Sequence, residues 1–185
     1  MNAQAVSPRT RSPRAARPPV PALPPLDALD RTHHDMIGVL ADLSQLVDQL
    51  EALGTEPAVR RSAKAICQFF DTHARAHHAA EEASVFPALV RKGDKALIQH
   101  VLRLQQDHGW LEEDWLELEP QLQAVAQGYS WYEIESLRHG VAVFTALYNE
   151  HIALEESLIY PEARAQMAAE AEGCAQRVSA AGDAS

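Results

Sequence analysis

The sequence predicts an all-α protein, an up-down-up-down antiparallel four-helix bundle with a disordered tail at each end. Apolar residues recur at three- and four-residue spacing in four long segments, which is the pattern of amphipathic helices. Short breaks containing glycine and proline separate the segments, and strand-like alternation is nearly absent. Because short connections make consecutive helices antiparallel neighbours, these segments predict a bundle.

The two ends of the chain differ in composition from its middle. Residues 1–25 are crowded with proline and arginine, and proline removes backbone donors, so we expect a disordered tail there. The bundle itself is expected over residues 26–168. Residues 169–185 are rich in alanine and are expected to form a flexible tail. A length of 185 residues suits one domain with tails.

The first two helices have recognisable ends. The apolar stripe of the first begins at Leu26, and Gly54 is expected to end it. Pro57 opens the second helix, because proline suits a first helical turn. That helix is predicted to run to about Arg91, with a kink where Pro87 interrupts its last turns.

The third and fourth helices follow the same rules. Asp94 is the predicted N-cap of the third helix and Gly128 its end, with Pro120 perturbing the last turns. The segment Ser130 to Glu133 has the form of a capping box that opens the fourth helix. Beyond about Ala165 the fourth helix is expected to fray.

Charge and cysteine usage limit the class of function. The net charge is -10, yet residues 1–25 hold four arginines and no acidic residue, so the rest of the chain is more acidic still. An acidic body argues against nucleic-acid binding. No apolar run is long enough for a membrane helix, and no signal-peptide pattern precedes the bundle. Two cysteines without a CxxC pair favour a cytoplasmic protein with reduced thiols.

Several histidines and glutamates occupy positions of the apolar stripes where leucine would be expected. Burying a bare carboxylate costs several kcal/mol unless a partner neutralises it. A metal ion shared between these side chains would be such a partner. The residues concerned are His33, His73, His77, Glu81, His108, His151 and Glu155.

The second and fourth helices repeat one motif. His77 and His151 each begin an HxxxEE segment that ends in an aromatic residue followed by proline. The four-residue spacing places each histidine and the first glutamate, Glu81 or Glu155, on one helix face. A single HxxxE pair arises often by chance, but two copies in register indicate a metal site.

The first and third helices each add one histidine to this set. His33 and His108 are both followed by apolar residues at the same three offsets. His34 is a rival to His33 but lies one step off the stripe. His73 is weighed as an additional ligand or as a hydrogen-bond partner of a carboxylate. Glu112 is weighed as a further ligand against the simpler interpretation of a surface acid.

The remaining polar residues near the motifs receive simpler interpretations. His78, His100 and His139 fall off the stripes, so we expect them in solvent. Glu82 and Glu156, the second glutamates of the two motifs, are expected to pair with cations or to orient ligands.

The ligand types favour iron. Imidazole and carboxylate suit iron, manganese or zinc, and the lack of thiolates disfavours an iron–sulfur cluster. Two carboxylates that can bridge favour a pair of metals. Two iron ions are therefore the expected cofactor, with manganese or zinc compatible with the same donors.

Over residues 26–163 the chain resembles the hemerythrin and HHE cation-binding family, through its HxxxEE segments, His33 and His108. The resemblance implies a hemerythrin-like bundle and a set of metal ligands. It differs from oxygen-carrying hemerythrins, which have a histidine where Glu112 stands and an aspartate at the place of Glu156. These differences argue against simple reversible O₂ carriage. The sequence also lacks the ExxH pair of ferritin-type di-iron bundles, which argues against that class of protein. The implied ligands are His33, His77, Glu81, His108, His151 and Glu155.

Three functions follow as hypotheses. The first is a non-haem di-iron protein that binds or senses O₂, NO or peroxide at an open iron position. The second is a di-iron oxidase or peroxidase, or an iron donor for repair of damaged iron centres. The third is a metal-free bundle that acts by protein contact. The expected partners are a small diatomic ligand and an electron donor, without nucleic acid or membrane. No separate catalytic constellation is evident, so the sequence does not decide whether the chain is an enzyme.

Overall fold

A computed structural model of the chain describes the backbone of residues 26–182 and the side chains of residues 26–177. The predicted tail of residues 1–25 lies outside the described residues, as do residues 183–185. The described part contains helices joined by short turns and no strand, which confirms the all-α fold class.

Four long helical elements follow one another along the chain, and two of them contain wide turns of π-helix. The first helix, α1, is Leu26–Leu53, and the third, α3, is Lys95–Gln127. The second, α2, joins the α-helical pieces Pro57–Phe69, Arg75–Ala80 and Phe86–Lys92 through π turns at Phe70–Ala74 and Glu81–Val85. The fourth, α4, consists of Ile134–Leu154, a π turn at Glu155–Ile159 and Tyr160–Gly182.

The helices pack as sequential neighbours. Helix α1 packs against α2 and α4, and α3 packs against the same two helices, which confirms the predicted antiparallel bundle. Two apolar clusters fill its interior, one containing Met36 and Leu111 and the other containing Leu29 and Leu104. Along α1 and α3 the residues of one cluster are followed by residues of the other, and buried polar residues stand between the two sets. A polar layer therefore separates the two clusters.

Helix ends follow local chemistry at three predicted positions. Asp94 caps α3, because its carboxylate accepts a hydrogen bond from the backbone N–H of Leu97 at 2.9 Å. Gly54 and Gly128 follow the ends of α1 and α3 with φ of 64° and 84°. These left-handed conformations favour glycine and end a helix.

Pro120 does not perturb the end of α3 as predicted. The helix continues without interruption to Gln127. Pro120 lies on the exposed side, so the carbonyl that loses its helical partner faces solvent.

The predicted capping box is also wrong, because α4 begins at Ile134 and the side chain of Glu133 makes no capping hydrogen bond. The preceding loop places Tyr132 and Ile134 against the core. The backbone N–H of Glu133 donates to Gln121 across the bundle at 3.4 Å. Packing of the loop therefore decides where the helix starts.

Helix α4 differs from prediction at its other end, where it continues to Gly182 instead of fraying near Ala165. Alanine has the highest helix propensity, which favours this extension. An ion pair between Lys92 of α2 and Glu170 adds a contact to the rest of the bundle. Within residues 26–182, no helix is both long and apolar enough to cross a membrane.

Candidate metal centre

Seven polar side chains are buried in the layer between the two apolar clusters, each at most 5% exposed. Six of them are the residues that the sequence singled out, and Asp107 is the seventh. They come from all four helices. The seven are His33, His77, Glu81, Asp107, His108, His151 and Glu155.

The six predicted residues form two groups that share both glutamates. One group joins Glu81 and Glu155 to the first two histidines, and the other joins the same glutamates to the last two. Within each group the nitrogen and oxygen atoms that could bind a metal lie within 4.8 Å of one another. The histidines are His33 and His77 in the first group, and His108 and His151 in the second.

Each HxxxE spacing brings its histidine and glutamate together on one helix. His77 Nε2 lies 3.3 Å from Glu81 Oε1, and His151 Nε2 lies 3.3 Å from Glu155 Oε2. The i,i+4 geometry of the helix is sufficient to produce both contacts.

Contacts between helices complete the two groups. His33 Nε2 of α1 lies 3.1 Å from Glu155 Oε2 of α4, and His108 Nε2 of α3 lies 3.5 Å from Glu81 Oε2 of α2. Each glutamate therefore faces a histidine of its own helix and one of a neighbouring helix.

Many of the atoms that face the centre have no hydrogen-bond partner. These include the Nε2 atoms of His77, His108 and His151, Oε2 of Glu81, and both carboxylate oxygens of Glu155. Buried polar atoms normally have hydrogen-bond partners. Several unpaired nitrogen and oxygen atoms that face one place therefore indicate a binding site for an ion or ligand. Neutral imidazoles and carboxylates are metal donors, so the residues present fit bound metal.

Burial favours the uncharged form of two of the imidazoles, those of His33 and His151. Burial, and then the neighbouring His77, lower the pKa of His33 to about 3. Burial also lowers the pKa of His151, although the carboxylate of Asp107 partly opposes this shift. Neutral imidazole is the form that binds metal, so these histidines need not lose a proton at neutral pH.

The two glutamates influence each other. Burial and the negative charge of Glu81 raise the pKa of Glu155 well above its usual value. Burial would also raise the pKa of Glu81, but the facing imidazoles of His108 and His77 hold it well below its usual value. Two carboxylates so close together do not both ionise readily without a cation between them.

The second glutamate of each motif contacts a histidine on another helix. Glu82 Oε1 accepts a hydrogen bond from His108 Nδ1 at 2.9 Å, and Glu156 Oε1 lies at hydrogen-bond distance, 3.3 Å, from His33 Nδ1. An acceptor at Nδ1 fixes the tautomer that leaves Nε2 free to bind a metal. Of the two predicted roles, these contacts agree with orientation of ligands.

The aromatic residue of each motif packs on the same histidine as the second glutamate. Phe86 stacks on His108 with ring centroids 5.7 Å apart, and Tyr160 stacks on His33 at 5.1 Å. Only Tyr160 has a hydroxyl group, which donates a hydrogen bond to Glu81 and lies 3.2 Å from His33 Nε2. The two halves of the centre therefore have the same arrangement of aromatic ring and histidine, but only the half with Tyr160 has a hydroxyl group.

A π turn starts at the first glutamate of each motif. The N–H of Phe86 donates to the carbonyl of Glu81, and that of Tyr160 to the carbonyl of Glu155, five residues back in both cases. Proline follows immediately, at Pro87 in α2 and at the equivalent place in α4. Thus α2 widens by a π turn just before Pro87, the place where the sequence predicted a kink.

Asp107 is a site residue that sequence reasoning missed. Its side chain is 1% exposed, with Oδ2 3.9 Å from His151 Nδ1 and 3.6 Å from Arg103 Nε. The signal was present, because Asp107 continues the three- and four-residue spacing from Leu104 to Leu111. It was hidden by its neighbour His108, which occupies the same stripe.

The prediction that His78 lies in solvent is wrong. It is half-buried, and its ring stacks on that of His108 with centroids 4.1 Å apart. Its nitrogen lies within 4.8 Å of nitrogens of His108 and His151, forming a third group of donors. Burial lowers the pKa of His78 well below its usual value. The interior face of α2 is broad enough here to include two adjacent histidines.

The structure does not bring the additional candidates into the centre. His73 is exposed and contacts Thr72 Oγ1 at 3.0 Å, and Glu112 is exposed and pairs with Arg75 at 3.1 Å. His34 is exposed, so His33 is the residue of that pair that faces the interior.

Substitution of the second glutamate of each motif, Glu82 or Glu156, tests whether these residues orient the metal-binding histidines. Glu82→Gln should weaken metal binding on the His108 side by about 10–100-fold, because an outer carboxylate orients the imidazole. Glu156→Gln should do the same on the His33 side. Metal titration of the purified variants measures this, with the exposed Glu117→Gln as control. Affinities equal to that of the control would show that these contacts do not orient the ligands.

Comparison with known proteins agrees with this geometry. Residues 25–163 match the family described as hemerythrin HHE cation binding domain. A Haemophilus influenzae protein described as an uncharacterized protein is 31% identical over 134 residues, covering 72% of this chain and 76% of that protein. No solved structure matches the chain significantly. The family match suggests metal binding, and so do the two groups of histidine and glutamate donors in this chain. Because the match spans the whole of the bundle core, the chain belongs to the hemerythrin HHE cation binding domain family.

Proposed function

We propose that this protein is a non-haem di-iron protein that binds or senses O₂, NO or peroxide at an open iron position. The observation that supports it most directly is the sharing of Glu81 and Glu155 between two histidine pairs. Two shared carboxylates between two pairs of imidazoles suit two metals better than one. Nitrogen and oxygen donors without thiolate suit iron, and they are also compatible with manganese or zinc.

Each residue has a role in this proposal. Four histidines would hold the metals, and the two glutamates, which belong to both donor groups, would contribute carboxylate oxygens to them. Each group offers two imidazoles and two carboxylates, so an ion held there would still have room for an exogenous ligand. When bound, the metal pair supplies a change of oxidation state and that open position. The proposed ligands are His33, His77, Glu81, His108, His151 and Glu155.

The surrounding chain prepares the site and shields it. Glu82 and Glu156 lie at hydrogen-bond distance from the outer nitrogens of His108 and His33 and orient them, and the carboxylate of Asp107 lies 3.9 Å from His151 Nδ1. The apolar clusters on both sides of the polar layer exclude bulk water. The physiological partners we propose are a small diatomic ligand and an electron donor that resets the oxidation state.

A second candidate is a di-iron oxidase or peroxidase, or an iron donor for repair. The hydroxyl group of Tyr160 favours it, because it contacts Glu81 and His33 inside the centre. A phenol placed there can deliver a proton to a bound ligand, which reduction of peroxide requires. A metal-free bundle is less favoured, since it would leave the buried carboxylate oxygens of Glu155 unpaired.

Metal content and absorption spectra test the proposal. The full chain, purified after expression with iron, should contain about two irons per chain, with near-ultraviolet bands from oxygen-to-iron charge transfer. A chain that contains no metal, and that folds equally well after chelation, would contradict the proposal.

Exposure to gases separates the two candidates. Reversible spectral change on addition of O₂ or NO to the reduced protein supports a binder or sensor. Continuous consumption of O₂ or peroxide in the presence of a reductant supports an enzyme. Both readouts use the same iron-loaded preparation, so the comparison does not depend on loading.

A further inference from the structure

A cleft between α2 and α3 leads from the surface to the candidate metal centre. Its volume is about 330 Å³. The share of liquid volume taken by one water molecule is about 30 Å³, so a small ligand and several waters fit inside together. His78 and His108 both line the cleft, which connects it to the second histidine group.

The outer part of the cleft is polar and open. Arg75 and Glu112 line it and form an ion pair at 3.1 Å, with about 60% of each side chain exposed. Gly109 also lines this part and is exposed. Because the ion pair is neutral as a whole, it does not strongly repel small neutral or singly charged molecules. Glu82 also lines the cleft, and its carboxylate accepts a hydrogen bond from His108 Nδ1.

The inner part is mainly apolar. Phe70, Trp115 and Phe144 are each at most 5% exposed and form much of the inner wall. Among them the hydroxyl group of Tyr148, a residue that is 3% exposed, lies 3.5 Å from His78 Nε2. This polar pair therefore lies beside His108, on which the ring of His78 stacks.

We propose that this cleft is the entry route and holding site of the exogenous ligand, and that His78 and Tyr148 hold the ligand at its inner end. The phenol and one nitrogen of a neutral imidazole are hydrogen-bond donors. The ligand class is a diatomic or triatomic molecule, neutral or singly negative, that accepts hydrogen bonds. This inference rests on the proposed function, since it assumes metals on the neighbouring histidines.

Narrowing the cleft tests the route. A Cβ atom at Gly109 would have nothing within 4 Å, so Gly109→Leu adds a side chain to the cleft without a clash at its base. Gly38 of α1 is a matched control, because it is also an exposed helical glycine with nothing within 4 Å of a Cβ. In both helices, leucine for glycine also raises helix propensity.

The probe is azide, added to the iron-loaded ferric protein and followed by absorption. Gly109→Leu should slow azide association about tenfold while iron content stays at the wild-type value, and Gly38→Leu should change neither. Equal association rates in the wild type and Gly109→Leu would overturn the proposed route.

Removing the donors tests the holding site. His78→Phe and Tyr148→Phe keep an aromatic ring and remove the polar atoms, so each should raise the azide Kd about fivefold, the factor for one lost hydrogen bond. The exposed His139→Phe should leave the Kd unchanged. Unchanged azide affinity in both cleft variants would overturn the holding role. Loss of iron in His78→Phe would also overturn it, since His78 would then be a metal ligand.

The same measurements separate this inference from the proposed function. A wild-type chain without iron contradicts both. A wild-type chain that contains iron but binds no azide contradicts the entry site and leaves metal binding standing.

Discussion

Replacing Glu81 and Glu155 together by alanine should abolish metal uptake. Both residues belong to both donor groups, so their loss removes half of the donors from each metal. Loss of an outer carboxylate that only orients a ligand weakens binding by about 10–100-fold, and loss of the ligands themselves should exceed that. Metal content after iron loading and gel filtration measures the effect.

A matched control separates metal loss from general damage. Glu113 and Glu117 are exposed acids of α3 at the same four-residue spacing, so Glu113→Ala with Glu117→Ala removes the same charge from the surface. Its metal content should equal that of the wild type. The double glutamine variant of Glu81 and Glu155 preserves side-chain volume if the alanine variant folds poorly. Full metal content in both centre variants would show that the ligand assignment is wrong.

Removal of the metal should lower the stability of the bundle substantially. A ligand that binds only the folded state at about 1,000 times its Kd adds about 4 kcal/mol to the free energy of unfolding. For a chain of this size that corresponds to roughly 10 °C in Tm. Thermal unfolding of the iron-loaded protein before and after chelation, followed by circular dichroism, measures the difference. An unchanged Tm would mean that the centre is not occupied in the folded state.

A variant of the same residues should have the opposite effect on the metal-free protein. Glu81→Leu with Glu155→Leu replaces two buried carboxyl groups, which do not both ionise readily without a cation, by side chains suited to the apolar clusters. Such replacements commonly stabilise by about 1–4 kcal/mol. The metal-free leucine variant should therefore unfold at a higher temperature than the metal-free wild type, while binding no iron. A lower unfolding temperature would show that the carboxylates contribute to folding through contacts other than metal.

The sequence was sufficient to predict the bundle and six of the seven buried residues of its polar layer. Helical periodicity identifies interior positions, and a charged residue at such a position is conspicuous, as Glu81 and Glu155 are. The structure brings both together with four histidines. Periodicity does not determine which side chains of neighbouring helices contact each other. The contact of Glu156 with His33 depends on the rotation of two helices relative to each other.

The errors arise where the structure departs from local sequence patterns. A strict 3.6-residue period places His73 on the interior face, but the π turn at Phe70–Ala74 intervenes and His73 is exposed. The period also places His78 in solvent, whereas the structure stacks it on His108. Short-range patterns likewise failed at Glu133, where packing of the preceding loop overrode a capping signal.

The π turns at Glu81–Val85 and Glu155–Ile159 set the angular phase of each helix beyond the centre. One residue of an α-helix corresponds to a rotation of about 100°. Each wide turn therefore changes the direction in which the side chains after it point, compared with an unbroken α-helix. If the present sequence formed an unbroken α-helix instead, Phe86 and Leu89 would rotate by about 100° away from the core that they now fill, whereas deletion of Ala83 would restore an α-helix and leave them facing it. Grafting the donor segments onto an idealised bundle of unbroken α-helices would therefore require removal of one residue at each wide turn. Otherwise one end of such a hybrid would face inward and the other would present its apolar stripe to water.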